Sequence, residues 1–375
     1  MIGCSNRFNE TGSWLVRVDT TLNPRTFYSD SLGVAITASE VNIGLANGSD
    51  SALCLGRIPW TEADLLLQFT GLDSVYYATR ISWAQVTMHI GSYMLAPPGY
   101  DVHNLQFEGY AIDSTWSSST YTWDSVAVLP RESSNMVLPA ASYVDDSIVT
   151  IPIDTGVVRR WGNATQDTNY TNHGFILKSA NTSGIISVYS SSYYGTGFEP
   201  TIRVGCIKNG VSDTVTSTSY YATYVATTSI TPPAQTLAVQ SGTGLHANIV
   251  FALDSTRIPR YSVVNYAELT VFANPIDTLY SAGSSDSLWA YYQTDPSTHS
   301  VTSSGVALST QVGNKYTFSV TVDVQQMLNL GNYGFMITRN EDYNNVDSRF
   351  IYDGNAPDSL KPRLSITYAP VVRRR

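Results

Sequence analysis

The sequence of 375 residues repeats itself, and this internal repeat limits the fold more than any single motif does. Three segments of the first half each have a counterpart in the second half: Leu65 to Ile90 with Asn248 to Phe272, Ile151 to Leu177 with Val320 to Ile337, and Val188 to Val204 with Phe350 to Tyr368. The chain is longer than the roughly 100–200 residues of a single domain. The repeat therefore predicts two tandem domains of one fold.

The spacing and type of residues favour strands over helices. Short runs of alternating apolar residues, ended by Gly, Pro, Asn or Asp, recur along the whole chain, as in sandwiches and barrels. Tyr is abundant, with 25 residues, and Tyr favours strands. Hydrophobic residues are 43% of the chain and charged residues only 14%, which excludes a solvating disordered polypeptide. The sequence predicts an all-β protein.

The strand signals lapse between Ile207 and Thr218, where a Lys-Asn-Gly-Val-Ser-Asp string leads into a run of Ser and Thr. We place the domain boundary there. Residues 1–207 then form the first sandwich with an N-terminal extension, and residues 208–369 form the second. Residues 370–375 form a basic tail that ends in three arginines.

Two aspartates hold matching positions in the two copies. Asp154 and Asp323 each end a strand and precede a short apolar-periodic stretch, which is the pattern of a helix N-cap. Asp323 with Gln326 also fits a capping box. The string Asp154-Thr155-Gly156 resembles the aspartic-protease motif, but that chemistry needs a second carboxylate close by, and the chain has no second Asp-Thr-Gly. Both aspartates are therefore predicted to be structural helix caps.

The repeated segments resemble the DNRLRE domain and the carbohydrate-binding modules that share its jelly-roll sandwich. The resemblance is carried by matching strand and helix positions in both copies: Phe69 and Phe251, Ile81 to Val86 and Val264 to Leu269, Asp154 and Asp323, Gly174-Phe175 and Asn332 to Phe335, and Tyr189 to Ile202 and Tyr352 to Leu364. It covers about Val34 to Tyr368. It implies two tandem jelly-roll β-sandwich domains with one short helix each, and implies function only weakly.

Candidate ligand contacts are aromatic residues of the first copy, and the stretch from Tyr110 to Trp123 is one of the places where the two copies differ most. Glycan binding uses flat aromatic faces beside polar hydrogen-bonding groups. The candidates are Tyr110, Trp116, Trp123 and the pair Tyr193-Tyr194. The competing interpretation is that a tryptophan on a sandwich strand is a core residue. That interpretation is favoured for Trp116 and balanced against ligand binding for Trp123.

Catalytic and cofactor signatures are missing from the sequence. The five histidines lie far apart, and no metalloprotease, hydrolase or phosphate-loop motif occurs. We therefore predict no enzyme activity and no cofactor. One loop, residues 340–347, concentrates oxygen ligands, with Asp342, Asn344 and Asp347 as candidate calcium ligands. An ordinary polar hairpin is the favoured alternative, because the loop lacks EF-hand spacing.

Cysteine is scarce, with three residues and no paired motif. Cys54 and Cys206 are expected to be buried free thiols, with a single bridge between them as the alternative.

Charge and hydropathy limit the partners. The net charge of −9 and the pI near 4.9 argue against nucleic acid. No apolar run approaches the ~18 residues that cross a bilayer, so no membrane insertion is expected. Residues 1–20 lack the pattern of a signal peptide. We expect an extracellular or virion-surface location.

Two function classes follow from the sequence. In the favoured class, the protein is a non-enzymatic structural or adhesive surface protein, such as a virion-associated decoration or fibre protein that contacts capsid or tail proteins. In the alternative, it is the carbohydrate-binding part of an exported bacterial or archaeal system, with a polysaccharide or other surface glycan as its partner. Assembly into a homo-oligomer is open in both.

Overall fold

The computed structural model of the protein describes residues 24–31, 33–47, 52–138, 142–193, 195–253, 256–260, 262–275, 287–302, 307–339 and 345–370. Antiparallel strands dominate these ranges, and the helices are few and short. The predicted all-β fold class is confirmed, and the sheets are arranged in the manner of a jelly-roll sandwich.

In chain order, the strands are β1 Arg25–Tyr28, β2 Ile36–Asn42, β3 Ala52–Ile58, β4 Thr61–Phe69, β5 Arg80–Leu95, β6 Phe107–Ala111, β7 Tyr143–Val144, β8 Ile148–Pro152, β9 Phe175–Ser179, β10 Gly184–Tyr189, β11 Thr201–Lys208, β12 Val211–Thr228, β13 Thr236–Gln240, β14 Leu245–Phe251, β15 Val263–Phe272, β16 Leu288–Asp295, β17 Ser300–Val301, β18 Ala307–Leu308, β19 Thr310–Val312, β20 Lys315–Ser319, β21 Phe335–Arg339, β22 Ser348–Tyr352 and β23 Arg363–Ala369. The α-helices are α1 Asp73–Tyr76, α2 Trp123–Ala127, α3 Thr155–Asn163 and α4 Thr321–Leu330.

The first copy, residues 52–228, is one ten-stranded sheet that encloses the first core. Strands β5 and β12 are long, with 16 and 18 residues, and each runs through both layers. β12 pairs with β11 as far as Thr218 and with β4 from Ser219 onward, with a bulge between Ser219 and Tyr221. Because side chains alternate along a strand, Leu65 and Leu67 of one layer face Val204 of the other across the core.

The second copy, residues 25–47 and 236–370, encloses the second core between two sheets. The five-stranded sheet has the order β1-β23-β15-β20-β19. The eight-stranded sheet contains β14 at its centre, with β2 and β21 among the partners of that strand. Leu269 and Ile366 from the first sheet meet Ile249 and Ile337 from the second in this core.

The two copies share their principal strand pairings. β5, β8 and β11 of the first copy pair as β15, β20 and β23 do in the second. β4, β6 and β9 pair as β14, β16 and β21 do. The registers agree as well, since Trp83 lies opposite Gly205 and its counterpart Tyr266 lies opposite Thr367. The internal repeat of the sequence is thus a repeat of structure.

The predicted division at residues 207 and 208 needs correction. The Ser/Thr-rich stretch is the long strand β12, which is joined to β11 by a two-residue Asn209-Gly210 turn and belongs to the first copy. Both turn residues have positive φ, at 49° and 77°, as a tight hairpin requires. The N-terminal extension, in turn, supplies β1 and β2 to the second copy. Independent folding of two domains stays a prediction.

The helix starts of the two copies differ. Asp154 is the N-cap of α3, and its carboxylate accepts hydrogen bonds from Gly156 N and Val157 N, as predicted. The matching prediction for Asp323 is wrong: α4 begins at Thr321 with Val320 in the N-cap position, so Asp323 lies inside the first turn, and Asp323 with Gln326 is no capping box. Asp323 is buried, and burial raises the pKa of its carboxyl to about 7. The first copy also has the short helices α1 and α2, for which the described part of the second copy shows no equivalent.

The two copies meet through buried polar contacts. Val346 of the second copy belongs to the first core. Gln240 of the second copy donates from Nε2 to Thr61 Oγ1 of the first copy at 2.9 Å, and also to Val346 O of its own copy at 2.9 Å. The Tyr224 hydroxyl donates to Asn345 O at 3.3 Å.

Cys54 and Cys206, the two described cysteines, are buried and form no disulfide, as the sequence analysis favoured. Burial raises the pKa of the Cys54 thiol.

Candidate functional site

A layer of aromatic residues covers the outer face of one sheet layer in the first copy. Leu66 of β4, Ile176 of β9 and Val225 of β12 point away from the main core, because their neighbours in sequence point into it. The chain between Ile112 and Pro130, which contains α2, lies over these residues and forms a second apolar cluster with them. We call this segment the aromatic cover.

Three of the predicted ligand residues come together in this cover. Tyr110, Trp116 and Trp123 are half-buried and pack against the cluster together with Tyr121. The Trp116 indole N–H donates to His173 O at 2.6 Å. The Tyr110 hydroxyl donates to Glu108 Oε2 at 2.8 Å. Much of the aromatic surface and these polar atoms are thus used within the protein itself.

Charged residues continue the cover beside Trp123. The Lys178 ammonium lies 5.8 Å from the Trp123 ring centroid and 2.9 Å from Asp64 Oδ2, while Glu62 Oε1 is 3.6 Å away. Asp64 is buried, and burial raises the pKa of its carboxyl to about 7, although the nearby Lys178 opposes that rise. The Asp64 side chain is 2% exposed, so this carboxyl is closed off from solvent.

The remaining predicted aromatic pair lies elsewhere. Tyr193 ends a short 3-10 turn, Ser191–Tyr193, its side chain lies outside the described part of the structure, and Tyr194 lies outside the described residues altogether. Tyr220 and Tyr221, which the sequence analysis did not identify, are exposed at the bulge of β12. Their rings contact each other edge-on, with the ring centroids 4.4 Å apart. The ring centroids of Trp116 and Tyr221 lie 6.2 Å apart, so this tyrosine pair adjoins the aromatic cover.

A second aromatic surface lies on the other sheet layer of the first copy. Trp83 of β5 stands opposite Gly205 of β11, and its indole occupies the space above that glycine, where any side chain would collide with Trp83 Nε1. The Arg203 guanidinium lies 5.9 Å from the Trp83 ring centroid. Gln85 stands opposite Arg203 on β5. Trp83 is 40% exposed, so part of its side chain is open to solvent.

Strand β12 extends this surface with hydroxyl groups. Thr214 lies opposite Gly205 and Thr216 opposite Arg203, and both threonines are exposed. We call Trp83, Gln85, Arg203, Gly205, Thr214 and Thr216 together the Trp83 platform. None of its members is acidic, although the whole chain carries a net charge of −9. The platform combines an exposed aromatic face with guanidinium, amide and hydroxyl hydrogen-bonding groups.

The second copy has no equivalent of this platform. Tyr266 takes the place of Trp83, and Thr367 takes the place of Gly205. The Tyr266 hydroxyl donates to Glu268 Oε2 at 2.8 Å, and the Oγ1 atoms of Thr367 and Thr26 lie 3.3 Å apart. The sequence alignment of the copies already contained this difference, which we did not single out because Trp83 falls on a strand shared by both.

The predicted calcium loop falls mostly outside the described residues. Asp342 and Asn344 are not described, whereas Asp347 is fully buried, with its Oδ2 atom 3.9 Å from Arg339 Nη2. Within the described ranges, no group of three or more His, Cys, Asp or Glu is arranged to hold a metal ion. Among the described helices, none is long and apolar enough to cross a membrane.

Comparison with known proteins yields no match, either to a protein-family model or to a curated protein. The resemblance to DNRLRE domains stays a prediction, supported by the sequence alone.

Proposed function

We propose that the protein is a non-enzymatic structural and adhesive surface protein that binds a glycan on the Trp83 platform of its first copy. The observation that supports this most is the position of the Trp83 indole, which lies over Gly205 while the residue stays partly exposed to solvent. A glycine beneath an aromatic ring lets the ring approach the sheet closely, which a side chain would prevent.

The chemistry of the platform suits a sugar. An exposed aromatic face stacks on the C–H face of a pyranose ring, and buried aromatic contacts of this type dominate binding energy. Arg203, Gln85, Thr214 and Thr216 surround the ring with hydrogen-bond donors and acceptors for hydroxyl groups. Arg203 lies over the Trp83 ring. Its positive charge also favours a glycan that carries a carboxylate.

The aromatic cover is a weaker candidate for the ligand site. Trp116 and Trp123 are half-buried on an apolar cluster, and the Trp116 N–H is already bonded within the chain. We therefore assign the ligand to the platform and a stabilising role to the cover.

The setting in which the protein acts has two forms. In the first, which we favour, it is displayed on a particle as a decoration or fibre protein. In the second, it belongs to an exported polysaccharide-binding system. Co-purification of the protein with intact particles distinguishes the two.

A glycan array with matched variants tests the binding proposal. We expect the wild-type chain to retain a neutral or acidic glycan, and Trp83→Ala to weaken that binding at least about tenfold, the loss expected for an aromatic hot spot. Tyr266→Ala removes the equivalent side chain of the second copy, which is exposed to a similar degree, and should leave binding unchanged.

Two outcomes would overturn the proposal. One is that the wild-type chain binds no glycan on the array. The other is that Trp83→Ala and Tyr266→Ala weaken binding equally, which would show that the platform has no special role.

A further inference from the structure

The closing strands of the two copies come from different places in the chain. In the first copy, β12 lies along β11 in one layer and along β4 in the other. In the second copy, the same two places, beside β23 and beside β14, are filled by β1 and β2. β12 in the first copy and β1 with β2 in the second are therefore equivalent elements.

The order along the chain shows that only the second copy takes its closing strands from a distant segment. In the chain, β1 and β2 come directly before β3, which is the first strand of the first copy. They nevertheless pair with the second copy. β12 directly precedes β13 of the second copy, yet it pairs with the first. The Asn209-Gly210 hairpin fixes β12 to the first copy, so the second copy depends on the N-terminal segment for its edge.

The N-terminal segment is well anchored in the second copy. Phe27, Val34 and Val41 are buried, and the first two belong to the second core. β2 pairs with β14 over its whole length, from Ile36 opposite Phe251 to Asn42 opposite Leu245. Beyond β2, Ile43 N donates to Gly244 O at 2.9 Å and Asn47 donates from its side chain to Gly242 O at 3.0 Å.

The connection back to the first copy is short. Only residues 48–51 separate Asn47, which contacts the second copy, from Ala52, which begins the first. A segment joined in this way makes the same contacts whether the recipient belongs to its own chain or to another. The balance between pairing within one chain and pairing between two chains is then set by the chain concentration and by the length of the connecting segment. Exchange of an identical element between molecules is a low-cost route to oligomers.

We propose that residues 24–47 form an exchangeable donor segment, which completes the second copy of another molecule of this chain. Reciprocal exchange gives a closed dimer, and one-way exchange gives an open chain of molecules. This inference rests on the strand topology and is independent of the glycan proposal.

Engineered cysteines on β2 and β14 test the exchange in the full-length chain, with Cys4 replaced by Ser. Thr37 and Val250 are register partners across these strands. One chain carries only Thr37→Cys and the other only Val250→Cys. The two are mixed, unfolded and refolded together at high concentration, and then oxidised. We expect a covalent product of twice the chain mass that contains one copy of each variant.

Two controls define the result. A single chain with both Thr37→Cys and Val250→Cys must close within itself, which shows that the pair has disulfide geometry. A mixture of Thr270→Cys and Thr317→Cys chains places the cysteines on β15 and β20, which both lie within the second copy, and should give no mixed dimer. If the doubly substituted chain closes and the Thr37→Cys and Val250→Cys mixture gives no mixed dimer above the β15 and β20 control, the proposal is wrong.

Discussion

The two copies of the fold have the same strand pairings but are completed in different ways. The first copy is contiguous from Ala52 to Thr228, and one continuous strand closes both of its layers. The second copy is closed by two separate strands that come from the far end of the chain. A repeated core can therefore form even where one repeat does not contain its own closing strands.

The copies also differ on their outer surfaces while their cores agree. Core positions such as Phe175 and Phe335 are filled alike and are fully buried in both. At the outward positions, a tryptophan over a glycine in the first copy replaces a tyrosine beside a threonine in the second. We expect the residues that agree to serve the shared fold, and the residues that differ to serve the function proposed for the first copy.

The largest expected effect concerns fragments. Residues 52–228 retain every strand of the first copy, whereas residues 236–375 lack β1 and β2. We expect the first fragment to unfold cooperatively and the second to show no cooperative transition until residues 24–47 are supplied as a peptide. Thermal unfolding followed by circular dichroism measures this.

A split at the boundary suggested by sequence provides the control. Fragments 1–210 and 211–375 each lack the edge strands of their own copy, so neither should unfold cooperatively alone. A cooperative transition in 236–375 without the peptide would mean that the second copy needs no donated edge.

The next effect concerns the helix start of the second copy and is the pH dependence of stability that Asp323 causes. The carboxyl of Asp323 has a pKa of about 7 in the folded protein against 3.8 as its ordinary value. The folded state therefore holds more protons between these values, and stability falls as pH rises from about 4 to about 7. We expect Asp323→Asn to reduce this fall and to raise the free energy of unfolding at pH 8 by on the order of 1–4 kcal/mol.

Denaturant unfolding at pH 4.5 and pH 8 measures the Asp323 effect. Asp64, whose pKa burial also raises to about 7, keeps part of the pH dependence in the Asp323→Asn variant. A variant that loses stability at pH 8, with an unchanged pH dependence, would show that the buried carboxylate is stabilising.

A smaller effect separates the cover from the platform. Trp123→Ala removes a half-buried ring that packs on the apolar cluster and faces Lys178. We expect a loss of about 1–3 kcal/mol in unfolding free energy, within the range of partly buried substitutions, and unchanged glycan binding by the folded variant. Trp289→Ala in the second copy is the matched comparison. Loss of binding only in folded Trp123→Ala would return the ligand site to the cover.

The smallest effect concerns the N-cap of the first copy. Asp154→Ala removes the acceptor for Gly156 N and Val157 N and should cost about 0.5–2 kcal/mol of stability. Asp154→Asn keeps an acceptor oxygen and should cost less. Chemical denaturation measures both, and equal costs for Ala and Asn would argue against the cap.

The sequence predicted those features that depend on local pattern. Alternating apolar residues revealed the strands and the repeat. The N-cap at Asp154 and the burial of Cys54 and Cys206 without a disulfide are confirmed. The pattern around Asp323 is misleading, because α4 begins at Thr321 and places the aspartate in its first turn. A one-turn difference in helix start changes an exposed cap into a buried acid.

Other features depend on contacts between distant segments and leave little local signal. β12 has no clean alternation, since it passes from one layer to the other at the bulge near Tyr221, so its Ser and Thr residues resemble a linker. The pairing of β1 and β2 with strands more than 200 residues away is invisible to periodicity. Trp83 becomes a candidate only once its cross-strand neighbour is known to be Gly205.

The pairing of β1 with β23 has a mechanical consequence. Arg25 lies opposite Tyr368 and Tyr28 opposite Ser365, so the chain enters β1 and leaves β23 at the same end of the pair. Tension between residue 24 and residue 370 therefore opens this pair one bridge at a time, like a zipper, instead of shearing all of its hydrogen bonds together. In a pulling experiment, the first event should occur at low force and should release β1 from the second copy while the first copy stays intact.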